Sequence, residues 1–522
     1  MFHCNRTVLA VVLALVLGND ATGQGKHSKN TTWEDADLGI RLELPGEWTL
    51  VPQRMDYPWV AARFLCDAKS GDGLHAHFRV VVLAQDADKA RAALHPDPSD
   101  PYSIRPDGKA PATYETFVSD TTLDTIPAGK HFRVDEAGKG DSPVGAYHDY
   151  KVVERTDDSF LRRARVFERD AMQVVVEGSM YFTHEQELEQ IWKRVLDGIR
   201  PATKRRGAPP AVDRWLSWQV APEDYVAWRT LPAAKRRDLR KRSESLWIQA
   251  VKQHTTSAWQ VTQSRRFLVV APKEMTTDRH VRRLEAFAEY LDRLLGPLSD
   301  DYVRTWVLRI CTDEDQRDAF GCWPSLAGGF REIVLTVFDG DPDSLSCGSA
   351  QESMFWTYLH EKDALVGTVL PAWLDMGLDR ALYYSSRVHG KVVDFESDDW
   401  ALGFCGDLAR DHRLISLRKL MTLGEDEFRN LAQKVDHEDG RLDVQCQLAV
   451  RFLLQDSGPV PLRGCMTRYL QALAEAAAGV ASATDRVHFL AEARAKAIER
   501  VFGSDDDQWR VFDKGFVDSV MR

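Results

Sequence analysis

The spacing of apolar residues changes character part-way along the chain. From Gly39 to Arg200 it is mostly of period two, with Ile40, Leu42 and Leu44 in one run and Ala76, Phe78, Val80 and Val82 in another. That spacing predicts strands that turn one face to a core. Leu161–Glu168 and Met172–Phe182 flank a short turn and predict a hairpin. Beyond it, Leu188, Ile191, Trp192, Val195, Leu196 and Ile199 form a one-sided stripe of helical period. Thr183 with Gln186 three residues on predicts a capping box at the start of that helix, and Pro201 follows its end. Strands first and a packing helix last predict an α+β domain over residues 33–200, its antiparallel sheet covered on one face.

Pro201 to Asp213 is rich in Lys, Arg, Pro and Ala and reads as a linker between two independently folding units. Residues 214–264 read as a helical connector dense in Trp, with Trp215, Trp218, Trp228, Trp247 and Trp259. Residues 265–522 open with a strand at Arg266–Ala271 and a helix at about Asp278–Leu295. Strands at Arg304–Cys311 and Glu332–Phe338 follow, and from Ser349 the pattern is almost wholly helical. The fold class expected of the whole is α+β: a sheet with its helix, then a mostly helical domain with a small sheet at its start.

One segment is not part of this folded pattern. Val8 to Leu17 is the only long apolar run, preceded by Arg6 and followed by the small and polar residues Gly18 to Gly23. It is shorter than the roughly 20 residues that span a bilayer. The arrangement predicts a signal peptide over residues 1–23 and an exported protein, periplasmic or extracellular, with no transmembrane segment in the mature chain. Hydrophobic residues at 44% and charged residues at 28% are the balance of a globular chain, and a net charge of −11 argues against a nucleic-acid partner. The exception is Lys235 to Arg242, with six basic residues in eight, which reads as a solvated helix face. Without Cys4 seven cysteines remain, and the odd count leaves Cys66, alone in the N-terminal region, as the natural free thiol. The pairing of the other six is open.

The run Gly39-Ile40-Arg41-Leu42-Glu43-Leu44-Pro45-Gly46-Glu47-Trp48, with the closing hairpin and helix, resembles the PsbP-like fold. The resemblance implies a binding or packing module without shared chemistry. His75 and His77 stand two apart on one strand face, either as two metal ligands or as part of a polar sheet face.

The second half poses the functional question. Gln351-Glu352-Ser353-Met354-Phe355-Trp356-Thr357-Tyr358-Leu359-His360-Glu361 lies on one helix, and Leu370-Pro371-Ala372-Trp373-Leu374-Asp375-Met376-Gly377-Leu378 opens the next. With the strand that precedes them, these segments resemble the gluzincin branch of the peptidase MA-like superfamily. Such peptidases carry HExxH on the first helix and a third-ligand Glu on the second. Two His four apart share a helix face and reach one Zn²⁺, while the Glu between them activates the bound water. The resemblance places the third ligand on Met376 and HExxH on residues 351–355, where Gln351 and Phe355 replace the two His and Glu352 alone survives. A second register starts at His360-Glu361 and puts Ala364 where the second His belongs. No two of the 15 His are three or four apart. Glu352, three residues after Ser349, also fits a capping box at a helix N-terminus. His360, Asp363, Asp375 and Asp379 are the remaining ligand-like set, and a surface hydrogen-bond network is the plainer reading of them.

These features predict no catalytic residue, with Gln351, Glu352, Phe355 and Met376 as vestigial positions, and no cofactor. They predict a protein that binds a peptide or protein between the Gly328–Phe338 edge strand and the helix of Gln351. An active zinc metallopeptidase with non-standard ligands is the alternative. No G-x-S-x-G elbow, P-loop or dinucleotide fingerprint occurs.

Overall fold

The computed structural model describes residues 30–51, 60–69, 75–84, 113–119, 132–154, 160–169, 172–181, 184–203, 228–296, 298, 302–313, 316–317, 320, 332–337, 345–389, 392–395, 399–435, 442–455, 463–481 and 486–521. The signal-peptide segment, the linker after Thr203 and Thr183 of the expected capping box lie outside these residues. Among the described residues no helix is long and apolar enough to cross a membrane.

The N-terminal part is built on an antiparallel sheet. Its strands are β3 (Trp48–Val51), β4 (Val60–Lys69), β5 (His75–Ala84), β6 (Phe132–Ser142), β7 (Gly145–Glu154), β8 (Phe160–Arg169) and β9 (Met172–Tyr181). They pair in the order β3-β4-β5-β9-β8-β7-β6. A second sheet sets β2 (Ile40–Leu44) between β1 (Thr31–Asp35) and β10 (Arg200–Pro201). Helix α2 (Glu185–Asp197) lays Leu188, Ile191, Trp192 and Val195 on one face of the large sheet, where Trp192 stacks on Phe78 at 6.0 Å. His184 precedes α2 without a side-chain cap.

The sheet is covered on both faces, not on one as its alternation predicts. Phe78, Val80 and Val82 face α2, while Val81 and Leu83 face helix α1 (Tyr114–Ser119) with Tyr114, Phe117 and Val118. The unbroken run Val80 to Ala84 is the mark of a strand buried on both sides. A polar cluster is enclosed there: Arg79 Nε donates to Glu177 Oε1 at 2.7 Å, and the Tyr114 hydroxyl donates to Glu177 Oε2 at 2.6 Å.

The C-terminal part begins with helix α3 (Ala233–His254) and a sheet in the order β11 (Trp259–Gln263), β12 (Phe267–Pro272), β13 (Trp306–Cys311), β14 (Glu332–Thr336). Strand β11 lies inside the segment read as a connector. It pairs antiparallel with β12, while β12, β13 and β14 are parallel. Helix α4 (Asp278–Leu295) packs on one face of this sheet through Leu284, Phe287, Leu291 and Leu295. The other face packs against the N-terminal sheet, where Val51 and Leu65 join Trp259, Leu268, Val270 and Val334 in one apolar cluster.

Polar contacts rim that junction. Asp67 accepts from Thr49 Oγ1 at 2.5 Å and Trp259 Nε1 at 3.1 Å, and also from Thr256. Lys69 pairs with Asp313 and donates to Thr312 Oγ1 at 3.0 Å. His75 is buried here, with Nδ1 2.6 Å from Cys66 O and Nε2 3.3 Å from Gln316 Nε2.

Past β14 the described residues are helical except for a hairpin and short connections. Helices α5 (Leu345–Lys362), α6 (Ala364–Val369) and α7 (Ala372–Arg380) lead through a π-helical turn at Ala381–Ser385 into β15 (Ser386–His389) and β16 (Val392–Phe395). Among the described residues seven helices follow: α8 (Asp399–Arg410), α9 (Leu417–Thr422), α10 (Glu425–Val435), α11 (Leu442–Leu454), α12 (Cys465–Ala481), α13 (Arg486–Phe502) and α14 (Asp506–Val520). Because α5 starts at Leu345, Ser349 and Glu352 stand inside the helix. The capping-box reading of Glu352 therefore fails.

Candidate functional site

Helix α5 owes its position to a stripe of Ala350, Met354, Phe355, Tyr358 and Leu359, all buried in the large C-terminal core. Pro371 then starts α7 in the extended conformation that proline favours ahead of a helix. Gly377 lets α7 approach α11 closely, since a Cβ there would stand 2.5 Å from the Cys446 carbonyl oxygen. Trp373 stacks on Tyr469 of α12 at 6.4 Å.

The segment after α6 folds back along α5. Gly348 lies so close to Tyr383 that a Cβ would fall 1.9 Å from its carbonyl oxygen, and Gln351 reaches Ser386. Nearer the end of α5, Trp356 Nε1 donates to Asp379 Oδ1 at 2.7 Å. Gln351 thus stands beside the start of β15.

The positions that the resemblance marks as vestigial have structural surroundings. Gln351 is fully buried, its Oε1 2.5 Å from the Ser386 hydroxyl, which also meets the Leu382 carbonyl. Turning the amide over lets Nε2–H donate to Ser386 Oγ while that hydroxyl donates to Leu382, which uses the amide nitrogen otherwise left without a partner. Phe355 is fully buried and meets Trp356 edge-on at 5.3 Å. Met376 is half-buried against the same core, and Glu352 is half-buried on α5.

The second register fares no better as chemistry. Glu361 is buried between two guanidinium groups: Arg304 donates to its Oε1 from Nε at 3.0 Å and Nη2 at 2.7 Å, and Arg240 Nε lies 3.5 Å from Oε2. Burial opposes its charge, but the two arginines outweigh burial and hold the carboxyl below its ordinary range. A carboxylate so held has no reason to take a proton. Asp363 is buried, with Arg229 Nη2 3.2 Å from Oδ2. Arg240 and Arg304 were missed in the sequence. Arg240 falls four residues after Arg236, which itself donates to the Arg229 carbonyl at 3.2 Å and to Leu231, so two of the six basic residues are structural.

His360, one turn beyond Trp356, is half-buried on α5, and Asp375 is exposed on α7. Asp379 is pushed up to about 6 by burial and by the Asp375 charge, against the pull of the Trp356 N–H. The structure thus links Asp379 to Trp356 and to Asp375, but ties Asp363 to Arg229 on another element. Among the described residues no three His, Cys, Asp or Glu side chains are grouped to hold a metal ion. An amide spent on Ser386, a core phenyl ring and a thioether do not fit Zn²⁺, which takes imidazole, thiolate or carboxylate ligands.

Strand β14 is the last of the described sheet, as an edge strand should be, but all five of its residues are buried. An added peptide strand needs exposed main-chain groups. The expected groove lies along Gly328–Phe338, of which residues 328–331 and 338 lie outside the described residues, and its Glu332–Thr336 stretch is buried.

No family model matches the sequence, and no curated protein matches it. Among solved structures, the solution structure of cyanobacterial PsbP (CyanoP) from Synechocystis sp. PCC 6803 is similar at 13% identity. It covers 35% of this chain and 98% of that chain with a TM-score of 0.24. A likeness at that score carries no argument, so the α+β assignment stands on the strands and helices described above. The comparisons lend no support to the zinc-peptidase resemblance.

Proposed function

We propose that this chain is an exported, non-catalytic metallopeptidase homologue that acts by binding a peptide or protein. The observation that carries the reading is the burial of Glu361 between Arg240 and Arg304, together with the loss of ligand chemistry at Gln351, Phe355 and Met376. Neither register keeps both a metal-binding set and a carboxylate able to activate water. Exposed large apolar side chains favour binding to a protein: Tyr384, Val392 and Trp400 are 40%, 56% and 51% exposed within the segment that follows α7. Aromatic side chains of this kind anchor protein interfaces.

The test is a peptide-cleavage assay on the purified chain beside its Glu352→Gln variant, with and without added Zn²⁺. The reading expects no turnover in any of the four conditions. Turnover that needs Zn²⁺ and disappears in Glu352→Gln would replace it with the active-peptidase alternative.

A further inference from the structure

A cleft of about 230 Å³ opens in the N-terminal part between α2 and the large sheet. Its floor follows from strand register. Trp48 on β3 pairs with Cys66 on β4, and Met180 follows Ser179, which pairs with His77 on β5, so Met180 lies level with Ala76. The row across four strands therefore reads Trp48, Cys66, Ala76, Met180, with two small side chains between two large ones. Those two small side chains leave the space.

The size limits what can enter. An engineered cavity of about 150 Å³ takes a benzene-sized guest. Sites for drug-sized ligands begin near 300 Å³. The cleft has room for one molecule of about ten heavy atoms, too few for a nucleotide or an extended peptide.

The rim limits its charge. Glu187 and Arg194 both line the cleft from α2, seven residues apart and so on one helix face. Two turns separate them by about 10.5 Å along the axis, too far for a direct pair. Among the described residues each has one polar neighbour at long range: His184 Nδ1 lies 3.5 Å from Glu187 Oε2, and Arg194 Nε donates to the Gln190 carbonyl at 3.4 Å. The two long side chains can lean toward each other over the cleft, so a small molecule can offer an ammonium to Glu187 and a carboxylate to Arg194 through charge-assisted hydrogen bonds of about 2.8 Å. Both charges also reach Cys66 in the floor, whose thiol burial pushes up to about 11. Cys66 is thus a neutral thiol at pH 7, a surface to pack against and not a nucleophile.

We infer that this cleft binds a free α-amino acid with an apolar side chain, its ammonium on Glu187, its carboxylate on Arg194 and its side chain over Ala76 between Trp48 and Met180. The site is independent of the zinc-peptidase reading and would stand if that reading fell.

Calorimetry on the full chain with alanine, valine and leucine, and with N-acetyl-leucine and leucinamide, tests it. At least one free amino acid should bind at one per chain, and each blocked leucine should bind at least about tenfold more weakly than leucine. Arg194→Gln and Glu187→Gln lie on the helix surface and should each weaken binding about tenfold with the thermal midpoint unchanged. Ala76→Leu should abolish binding by filling the floor. Absence of binding by all three amino acids, equal binding of the blocked forms, or wild-type affinity in Arg194→Gln would overturn the assignment.

Discussion

At Asp379 the surroundings work against ionisation. Burial and the neighbouring Asp375 raise its carboxyl from 3.8 to about 6, although Trp356 donates a hydrogen bond to it. A carboxyl raised on folding binds its proton more tightly in the folded state, so stability falls as pH rises from about 4 to 6 and the full penalty applies above that. Asp379→Asn should therefore raise stability at pH 7.5 by about 1–2 kcal/mol and flatten the profile between pH 4 and 6. Urea unfolding at several pH values measures this, and a loss of stability would mean that the Trp356 bond requires the full charge. The residue was visible in the sequence only as a possible metal ligand. Its partner comes from α5, 23 positions away, and spacing alone does not reveal such a pair.

Individual elements were more legible than their contacts. The helix at Asp278–Leu295 and the β8–β9 hairpin are where apolar periodicity puts them, the helix because it buries one continuous face, although the hairpin is buried on both of its faces. The β15–β16 hairpin was hidden inside a helical reading, and α1 lies in a stretch with no clear pattern. The role of α3 was hidden by its composition. Its basic run looks like a solvated face, yet Arg240 is buried and clasps Glu361 on α5 together with Arg304 from the loop before β13. Removing the shared anion strands two buried cations. Glu361→Gln should cost about 3–5 kcal/mol, whereas replacing all three residues with apolar ones of similar volume should cost much less. Thermal or urea unfolding of the two variants separates these outcomes. Equal destabilisation by both would show that the cluster acts through packing and not through charge.

Across the whole molecule, the basic linker suggested two units that fold apart, and a small apolar cluster at their junction takes side chains from both. Leu65 is fully buried beside Trp259, Leu268 and Val270, so Leu65→Ala should cost about 2–5 kcal/mol even though it changes only the N-terminal sheet. A fragment beginning at residue 228 would leave the apolar face of β11–β14 in water and should aggregate, and a soluble, cooperatively folded fragment would contradict that. The junction also carries a pH dependence. Burial disfavours the Asp313 charge, but hydrogen bonds from His75, Lys69, the Gln316 N–H and Thr312 outweigh it and hold the carboxyl well below 3.8. A depressed carboxyl contributes stability that is present above its unfolded pKa, near 4, and lost as pH falls below it. Asp313→Asn should lose part of that contribution at neutral pH and show a shallower acid limb in a denaturation profile.

The central claim of the proposal is that the region of α5 and α7 holds no zinc. It is tested most directly by elemental analysis of the full chain purified without chelator and then dialysed against micromolar Zn²⁺ followed by metal-free buffer. The account predicts far less than one zinc per chain, with no change in the thermal midpoint on adding the metal. One tightly held zinc per chain, lost on replacing His360 or Asp375, would contradict it.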